Sequence, residues 1–468
     1  MYRAQGNGPV ADASGATLVA YRVGGRWAYG RYPGVGGEPC AACVDARFLS
    51  QGHRPERHAM PKLAEQALQE LQKRDAPPGT LIEYVGSQVW THLVLPVPGC
   101  PCAQAAGPSP ALPLDAAVSD LVGLIRELDL LPISGLDPAV ETIFASAVGC
   151  DVGAFGRPGG VGAGTGCGTT QQAQRAAIGE TLERYAASII PEDLLLATVS
   201  QLDAPHMPID PHAFAHQPVG AHDMLRWVQG KRLVDGSACW VPAAMVYFPY
   251  VCADTEPRRS SGSSQGLAAG ADLRQAVIHA TCEVIERDAF MRAWRFDGPR
   301  LRLHNPYPAR PDLHFALVRN RFGLPVVTVF SEADTIPYCL AGIAGRGSVA
   351  DAVEAAAREV IGGRIFFGRR VDHGDRAIEA RYRHATDPGL GAARARWLDR
   401  PFTALSDDRL AWDAFCMRVP DAVVIDITPA DVRSLGVVVV RVCVPGCHTF
   451  EPCADAPFLG GDQTPIPY

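Results

Sequence analysis

Two segments of the chain repeat one pattern of acidic and basic side chains. Residues 172–186 read QAQRAAIGETLERYA, and residues 275–289 read QAVIHATCEVIERDA. In both, the spacing Glu-x-x-Glu-Arg places two carboxylates and one guanidinium on the same face of a helix. A single pattern of this kind is typical of a solvated, salt-bridged surface, but its repetition in a matched context favours a chemical function. The repeated positions are Glu180, Glu183 and Arg184, and then Glu283, Glu286 and Arg287.

These glutamates predict a site for metal-bound phosphate. If the two helices pack face to face, each close pair of carboxylates costs about 1 kcal/mol in water and roughly 4 kcal/mol at an intermediate dielectric constant. The two arginines offset only part of that charge. Mg²⁺ prefers oxygen ligands and commonly bridges carboxylates to nucleotide phosphates, so we predict a magnesium–nucleotide site. A fainter third copy, residues 352–363, keeps Glu359 and has glycines at the other two positions.

Each repeat follows a glycine-rich segment, which we interpret as a turn. These segments run from Gly159 to Gly168 and from Ser260 to Gly270. A turn of this kind exposes backbone N–H groups at the start of a helix, where phosphate is stabilised. The glycines match neither a GxxxxGK[ST] loop nor the dinucleotide fingerprint. The nucleotide site is therefore predicted to be of a different kind.

Four of the fourteen cysteines form two close pairs near the N-terminus. Both pairs lie in sequence that favours turns, and two such turns can supply the four ligands of a tetrahedral zinc ion. Four thiolates leave no open position for water, so the zinc would be structural. Unrelated turn cysteines are the alternative, and a histidine in place of one thiolate is another. The pairs are Cys40 with Cys43 and Cys100 with Cys102; the histidines are His53, His58 and His92.

The elements around the cysteine pairs predict a small α/β module. Residues 60–74 have helical periodicity, and Thr80–Val85 and Val89–Val97 have the pattern of strands joined by a turn. Residues 103–114, rich in proline and alanine, are the predicted linker. The chain then divides into an N-terminal module at 1–112 and a larger domain at 115–468.

Composition excludes several classes of protein. The 468 residues are 47% hydrophobic and 20% charged, as in folded globular proteins. A net charge of −7 argues against nucleic-acid binding. The longest apolar stretch, Ala238 to Ala253, is too short to span a membrane and contains two prolines. Because the N-terminus has no apolar core of the length a signal peptide needs, we expect a cytoplasmic protein with reduced cysteines.

Four segments of the chain resemble the YcaO superfamily. They are AIGETLERYAAS at 177–188, SSQGLAAGADLRQAVIHATCEVIERDA at 263–289, DAVVIDITPADVRSLGVVVVRVCVPG at 421–446, and the closing PFLGG and PIPY. The resemblance covers roughly residues 115–468. It implies an α+β fold with mixed sheets, in which glutamate-bearing helices surround an ATP site. In the azole-forming branch, a Cys, Ser or Thr of a precursor peptide attacks the preceding amide, ATP phosphorylates the amide oxygen, and loss of phosphate leaves an azoline.

The resemblance also implies roles for individual residues. The four repeated glutamates would hold Mg²⁺, and the two arginines would contact phosphates. The C-terminal carboxylate of a proline-rich tail would act as general base. The remaining implied residues are Ser264, Gln265, Glu359, Gly166 and Gly168 for the nucleotide, and Pro465, Pro467 and Tyr468 for the catalytic tail.

Three positions depart from the family pattern. Cys167 occupies the place of a lysine that would contact phosphate, unless Arg175 or Arg157 replaces it. Gln265 stands where the family has asparagine, and the tail after Gly461 is short. These departures leave open a catalytically weakened scaffold that binds peptide or partner, although retention of four glutamates and two arginines argues against it. A thioamide or amidine synthetase is the other alternative.

The N-terminal module resembles the zinc-bearing end of the ubiquitin-activating-like proteins that bind leader peptides and dock on YcaO enzymes. That resemblance implies a separate leader-binding partner protein in addition to the ribosomal precursor peptide. We also expect a flavin-dependent azoline dehydrogenase as a further partner, a homodimer as the assembly, and no nucleic-acid or membrane partner.

Two features of the larger domain have plain structural interpretations. Cys443 and Cys447, with His448 and Cys453, could form a second metal site, but Cys443 lies in an apolar strand and core packing is favoured. His279 is interpreted as a packing or polar-network residue.

Overall fold

The computed structural model describes residues 10–11, 17–32, 39–58, 66–67, 69–70, 79–104, 111–157, 159–202, 220, 222–251, 256, 263–333, 339–369, 389–403, 409–412, 415 and 418–447. The predicted tail residues Pro465, Pro467 and Tyr468 lie outside this range, as do His448, Cys453 and most of the helix predicted at 60–74.

Strands and helices follow one another along the described residues in mixed order. The strands are β1 (Val10–Ala11), β2 (Thr17–Val23), β3 (Arg26–Tyr32), β4 (Glu56–His58), β5 (Thr80–Val85), β6 (Gln88–Leu93), β7 (Ile125–Ile133), β8 (Thr142–Asp151), β9 (Val161–Gly168), β10 (Leu195–Ala197), β11 (Leu225–Arg232), β12 (Ala238–Pro242), β13 (Leu267–Gly270), β14 (Arg300–Leu303), β15 (Leu313–Val318), β16 (Val326–Glu332), β17 (Cys339–Gly345), β18 (Phe402–Thr403), β19 (Val423–Asp426) and β20 (Val438–Cys443). The helices are α1 (Ala41–Ser50), α2 (Pro101–Gln104), α3 (Thr170–Ser188), α4 (Ala243–Val246), α5 (Leu273–Phe296), α6 (Val349–Arg369), α7 (Gly389–Leu398) and α8 (Ala430–Ser434).

These strands form four sheets within the described part of the chain. The N-terminal sheet has the order β1-β2-β3-β5-β6, with β4 on β2, and the others are β7-β8-β9, β10-β11-β19-β20-β13 with β12 on β11, and β17-β16-β15-β14-β18. Neighbouring strands are antiparallel except for the parallel pair of β14 and β18. The predicted α+β class with mixed sheets is confirmed.

The predicted glutamate helices are confirmed. Thr169 and Gln172 form the capping box of α3, in which the Gln172 N–H donates to Thr169 Oγ1 and the Thr169 N–H to Gln172 Oε1. Asp272 caps α5 by accepting a hydrogen bond from the Gln275 N–H. The third copy is the central part of α6.

The glycine-rich segment before α3 is a strand, and the prediction of a turn is wrong for it. Gly164 and Gly166 on β9 lie directly against α3, where a Cβ on Gly166 would come 2.2 Å from the carbonyl oxygen of Ala173. The alternating glycines therefore let helix and strand backbones approach closely. In the second segment, the last four residues likewise form β13.

The N-terminal elements agree with the prediction in part. The strand Thr80–Val85 is confirmed, and its partner β6 ends at Leu93, before the predicted end at Val97. Cys43 lies in a helix, α1, where a turn was predicted. Leu121 and Val122 pack with Tyr21 and Phe48 in the N-terminal core, so residues beyond the predicted linker contribute to that core.

Candidate functional site

Three strand–helix units bring glutamate side chains together: β9 with α3, β13 with α5, and β17 with α6. In each unit, the first glutamate accepts a backbone hydrogen bond from its own strand or from the turn before it. The Oε2 atoms of Glu180, Glu283 and Glu359 lie 2.7, 2.9 and 2.9 Å from the backbone nitrogens of Thr165, Gly266 and Ile343, respectively.

The second glutamate reaches the strand of the next unit. Glu183 Oε1 lies 2.7 Å from the Ala269 nitrogen on β13, and Glu286 Oε2 lies 2.7 Å from the Gly345 nitrogen on β17. The corresponding position on α6 is Gly362, where an added Cβ would lie 3.6 Å from the Cβ of Cys167 on β9. The first unit therefore contacts the second, the second contacts the third, and the third lies against the first. We name the five glutamates of these units the glutamate ring: Glu180, Glu183, Glu283, Glu286 and Glu359.

Two arginines lie within the glutamate ring. Arg184 Nη2 is 2.6 Å from Glu180 Oε1. Arg287 faces three carboxylates, with Nε 3.3 Å from Glu286 Oε1 and 3.9 Å from Glu283 Oε1, and Nη2 3.3 Å from Glu359 Oε1. The five carboxylates of the ring thus have only two of the predicted arginines as partners, which leaves an excess of negative charge.

The excess of negative charge appears in the pKa values. Burial raises the pKa of Glu183 well above its usual value, and the neighbouring carboxylates of Glu283 and Glu180 add to the rise. Burial also raises the pKa of Glu283, and it raises that of Glu286 to about 8 although Arg287 opposes the shift. A divalent cation would stabilise the ionised carboxylates. The all-oxygen donor set, fixed in place by backbone N–H groups, fits Mg²⁺.

Two further arginines next to the ring were missed from the sequence. Arg441 on β20 is buried, donates from Nη1 to the Ser263 carbonyl oxygen at 2.8 Å, and lies close enough to Glu283 to interact electrostatically. Arg346 Nη1 lies 3.9 Å from Glu286 Oε2. Desolvation lowers the pKa of His279, and the charge of Arg346 adds to this fall. A lone charged residue within the apolar run VVVRVC was the available signal for Arg441.

The predicted turn at Ser264 and Gln265 adjoins the ring. It leads into Gly266, which has a φ of 81° and whose N–H binds Glu283. Ser264 accepts a backbone hydrogen bond from Leu267, and Gln265 is buried.

The cationic neighbour of Cys167 and Gly168 is Arg358, and the alternative of a phosphate contact from Arg175 stays a prediction. Arg157 donates to the carbonyl oxygen of Ile190 and pairs with Glu192, away from Cys167. The guanidinium near Cys167 belongs to Arg358, whose Nη1 would lie 3.6 Å from a Cβ on Gly168. Burial raises the pKa of the Cys167 thiol to about 11, so this thiol stays protonated at neutral pH.

The four predicted zinc ligands form a cluster. The sulfur–sulfur distances are 3.3 Å for Cys43–Cys102 and Cys100–Cys102, 3.7 Å for Cys40–Cys100 and 3.9 Å for Cys40–Cys43. Since Zn–S bonds are about 2.3 Å long, a tetrahedral site has sulfur–sulfur edges of about 3.8 Å. The donor set therefore fits zinc. Burial raises the pKa of the Cys43 thiol, and the Val97 N–H, which donates to Cys43 Sγ at 3.2 Å, partly offsets this rise.

The histidines offered as substitute ligands and the second cysteine group do not extend this cluster. Among the described residues, the four cysteines are the group whose ligand atoms all lie within 4.8 Å of one another, so no histidine joins the cluster, and the carboxylates of the glutamate ring are more widely spaced. His92 instead contacts Ser119 Oγ and Glu83 Oε2. Cys443 is buried in the core, as predicted.

The fold and site define an α+β protein with a partly buried, carboxylate-rich site framed by three strand–helix units. Residues 163–448, more than half of the chain, match the family model described as YcaO cyclodehydratase, ATP- and Mg²⁺-binding. The chain belongs to this family.

Several solved structures share the fold of this chain. A heterocyclase in complex with substrate and cofactor has a TM-score of 0.70 and 18% identity, covering 93% of this chain and 73% of that one. YcaO from Methanopyrus kandleri, bound with AMPPCP and Mg²⁺, has a TM-score of 0.54 and 20% identity, covering 74% and 91%. The E. coli microcin synthetase McbBCD complex with pro-MccB17 bound has a TM-score of 0.54 and 12% identity, covering 73% and 96%. Among the described residues, no helix is long and apolar enough to cross a membrane.

Proposed function

We propose that this protein is an ATP- and Mg²⁺-dependent cyclodehydratase that converts Cys, Ser or Thr residues of a ribosomal precursor peptide to azolines. The observation that carries the proposal is the glutamate ring, in which backbone N–H groups hold five carboxylates and three of the five have raised pKa values. So much negative charge in a partly buried site is costly without a cation. Family membership gives that cation a nucleotide partner.

In this proposal, the ring glutamates hold Mg²⁺, which neutralises phosphate charge during phosphoryl transfer. Arg184 and Arg287 contact phosphates, and the turn at Ser264 and Gln265 contacts the nucleotide. Because the substrate supplies its own nucleophile, the protein contributes positioning and charge neutralisation. The predicted general base, the carboxylate of Tyr468 with Pro465 and Pro467, stays a prediction.

The reaction balances as a dehydration driven by ATP. The substrate side chain adds to the carbon of the preceding amide, and its proton is taken up by a base. The former amide oxygen attacks the γ-phosphorus of ATP and ADP leaves. The phosphorylated oxygen then departs as phosphate while the amide nitrogen gives up its proton and the C=N bond of the azoline forms. Each ring therefore consumes one ATP and removes one water from the peptide.

The cysteine cluster has a structural role in this proposal. A zinc ion held by four thiolates leaves no position for substrate, so it would stabilise the region at 1–112. The microcin synthetase complex, in which several proteins and a pro-peptide assemble, supports a separate leader-binding protein as partner. We further propose a cytoplasmic location, a homodimer and a flavin-dependent dehydrogenase as a later partner.

Incubation with a precursor peptide, its leader-binding partner and Mg-ATP tests the proposal. The expected products are ADP, phosphate and a peptide lighter by one water per ring, detected by mass spectrometry. A peptide that exchanges oxygen for sulfur would instead identify a thioamide synthetase. An unchanged peptide mass, with a partner known to be competent, contradicts enzymatic activity and favours the scaffold alternative.

A further inference from the structure

Helix α1 carries two side chains that face different parts of the molecule. Cys43 belongs to the cysteine cluster, and Arg47 follows one helical turn later. Arg47 is completely buried. A buried guanidinium is costly unless its donors and its charge are satisfied, so its partners show what α1 is attached to.

Arg47 binds the segment that leads to the second cysteine pair. Its Nε lies 3.1 Å from the carbonyl oxygen of Leu95, and its Nη2 lies 3.0 Å from that of Pro96. The next residue, Val97, donates its N–H to Cys43 Sγ. Arg47 and the cysteine cluster therefore hold the same two pieces of chain together.

The other side of Arg47 contacts the larger domain. Its Nη2 lies 2.5 Å from Asp431 Oδ2 at the start of α8, and its Nη1 lies 3.4 Å from the hydroxyl oxygen of Tyr185 on α3. The Tyr185 hydroxyl in turn donates to Asp431 Oδ2 at 2.6 Å. Tyr185 directly follows Arg184 and lies two residues after Glu183 in the glutamate ring.

We propose that Arg47 is a positioning residue that couples zinc binding at the cysteine cluster to the placement of the ring glutamates on α3. Zinc fixes α1, and the contacts among Arg47, Asp431 and Tyr185 hold α3 in the arrangement that presents Glu180 and Glu183. Since a buried charge left without its partner is strongly destabilising, displacement of α1 disturbs α3. The proposal rests on the proposed function only where it concerns nucleotide affinity.

Hydrogen exchange of the full-length protein tests the coupling without any assay of activity. Removal of zinc with a chelator is expected to speed amide exchange in residues 177–188 of the wild type about tenfold. In Arg47→Met, exchange of this segment is expected to be fast with or without zinc. Equal exchange in the two wild-type forms would overturn the proposal, as would a zinc effect of wild-type size in Arg47→Met.

A matched variant separates this coupling from general weakening of the N-terminal region. Glu83 is buried and binds Arg26 and His92 in the N-terminal sheet, without contact to α3 among its hydrogen bonds. Glu83→Gln is expected to keep the zinc effect on residues 177–188. If Glu83→Gln abolishes that effect as Arg47→Met does, the specific role of Arg47 is wrong.

Nucleotide binding provides the second readout. Zinc-loaded wild type is expected to bind AMPPCP with Mg²⁺ about tenfold more tightly than the zinc-free form. The double variant Arg47→Met/Asp431→Asn removes the charge pair yet keeps an acceptor for Tyr185, and its affinity is expected to be independent of zinc. A zinc-dependent affinity in the double variant contradicts the coupling. Failure of zinc-loaded wild type to bind nucleotide contradicts the proposed function instead, and the exchange measurement still decides the role of Arg47.

Discussion

The cysteine cluster and the glutamate ring are both candidate metal sites, but they are built in opposite ways. The cysteine cluster takes four sulfur atoms from two short segments, and its ligands contact one another. The glutamate ring takes five carboxylates from three helices that are far apart in sequence, and each carboxylate is fixed by a backbone N–H of a strand or of the turn before it.

This difference in construction predicts that the cysteine cluster serves folding stability and the glutamate ring serves the reaction. Four thiolates saturate a tetrahedral ion, so loss of the cysteine cluster should affect folding first. The ring ties one oxygen of each carboxylate to the backbone and carries excess negative charge, which a substrate-bound cation can neutralise. Loss of a ring glutamate should therefore affect turnover while leaving the fold intact.

The largest expected effect comes from Glu283→Gln. The amide keeps the shape of the side chain but removes a charge from the ring, and we expect ATP turnover to fall by at least about a hundredfold. The melting temperature should stay the same or rise, because a buried like charge is removed. Turnover is followed by phosphate release, with Glu127→Gln on the exposed side of β7 as the matched control. Turnover within twofold of the control would contradict the assignment of Glu283.

Replacement of Cys43 by serine should affect zinc content and folding stability first, in contrast to Glu283→Gln, which should affect turnover. We expect loss of bound zinc and a fall in melting temperature of about 5–10 °C, because a structural metal contributes directly to folding free energy. Zinc is measured by elemental analysis and stability by calorimetry. Cys443→Ser, in the core of the larger domain, is the control that should retain zinc. Unchanged zinc content in Cys43→Ser would dismiss the cluster as a zinc site.

The pH dependence of stability should reveal the ring glutamates, with a smaller effect than the two substitutions above. The folded pKa values of Glu183, Glu283 and Glu286 are raised, and that of Glu286 rises from about 4.5 to about 8. Without a cation, the folded state therefore binds more protons than the unfolded state, and this contribution to stability is lost as pH rises across that window. Mg-nucleotide should stabilise the protein more at pH about 8.5 than at about 6.

Thermal unfolding with and without Mg-AMPPCP measures this difference. Glu286→Gln should reduce the pH dependence of the stabilisation, since it removes the group whose pKa rises to about 8. A stabilisation that decreases from low to high pH in the wild type would contradict the raised pKa values.

The smallest effect is expected at the position where the third unit lacks a glutamate. Gly362→Ala adds a Cβ at 3.6 Å from Cys167 and 3.9 Å from Phe144, which is ordinary contact. The substitution should therefore stabilise α6 by about 0.5–1 kcal/mol without changing nucleotide affinity. Gly363→Ala on the same helix should give a similar gain. Loss of nucleotide binding in Gly362→Ala alone would show that ligand, rather than empty space, occupies this position.

The sequence predicted which side chains come together at both sites better than it predicted their surroundings. Helical periodicity made the Glu-x-x-Glu-Arg repeats visible, and close spacing made the cysteine pairs visible. The strand N–H partners of the glutamates were not predictable in the same way, because they depend on how strands and helices pack. Arg47 and Asp431, 384 positions apart, meet only in the folded chain.

The glycine-rich strand shows why one local prediction failed. Alternating glycines carry no apolar signal for a strand, and they usually indicate turns. In β9 they serve instead to admit the backbone of α3, which is a tertiary requirement. The prediction of helix α3 succeeded because its cap and its periodicity are local.

Calorimetric titration of AMPPCP into the zinc-loaded protein, with and without Mg²⁺, tests the central claim most directly. The account predicts binding to the wild type that requires Mg²⁺ and is weakened at least about tenfold in Glu286→Gln. Affinities that are equal in the two proteins, or independent of Mg²⁺, would contradict the glutamate ring as the magnesium–nucleotide site.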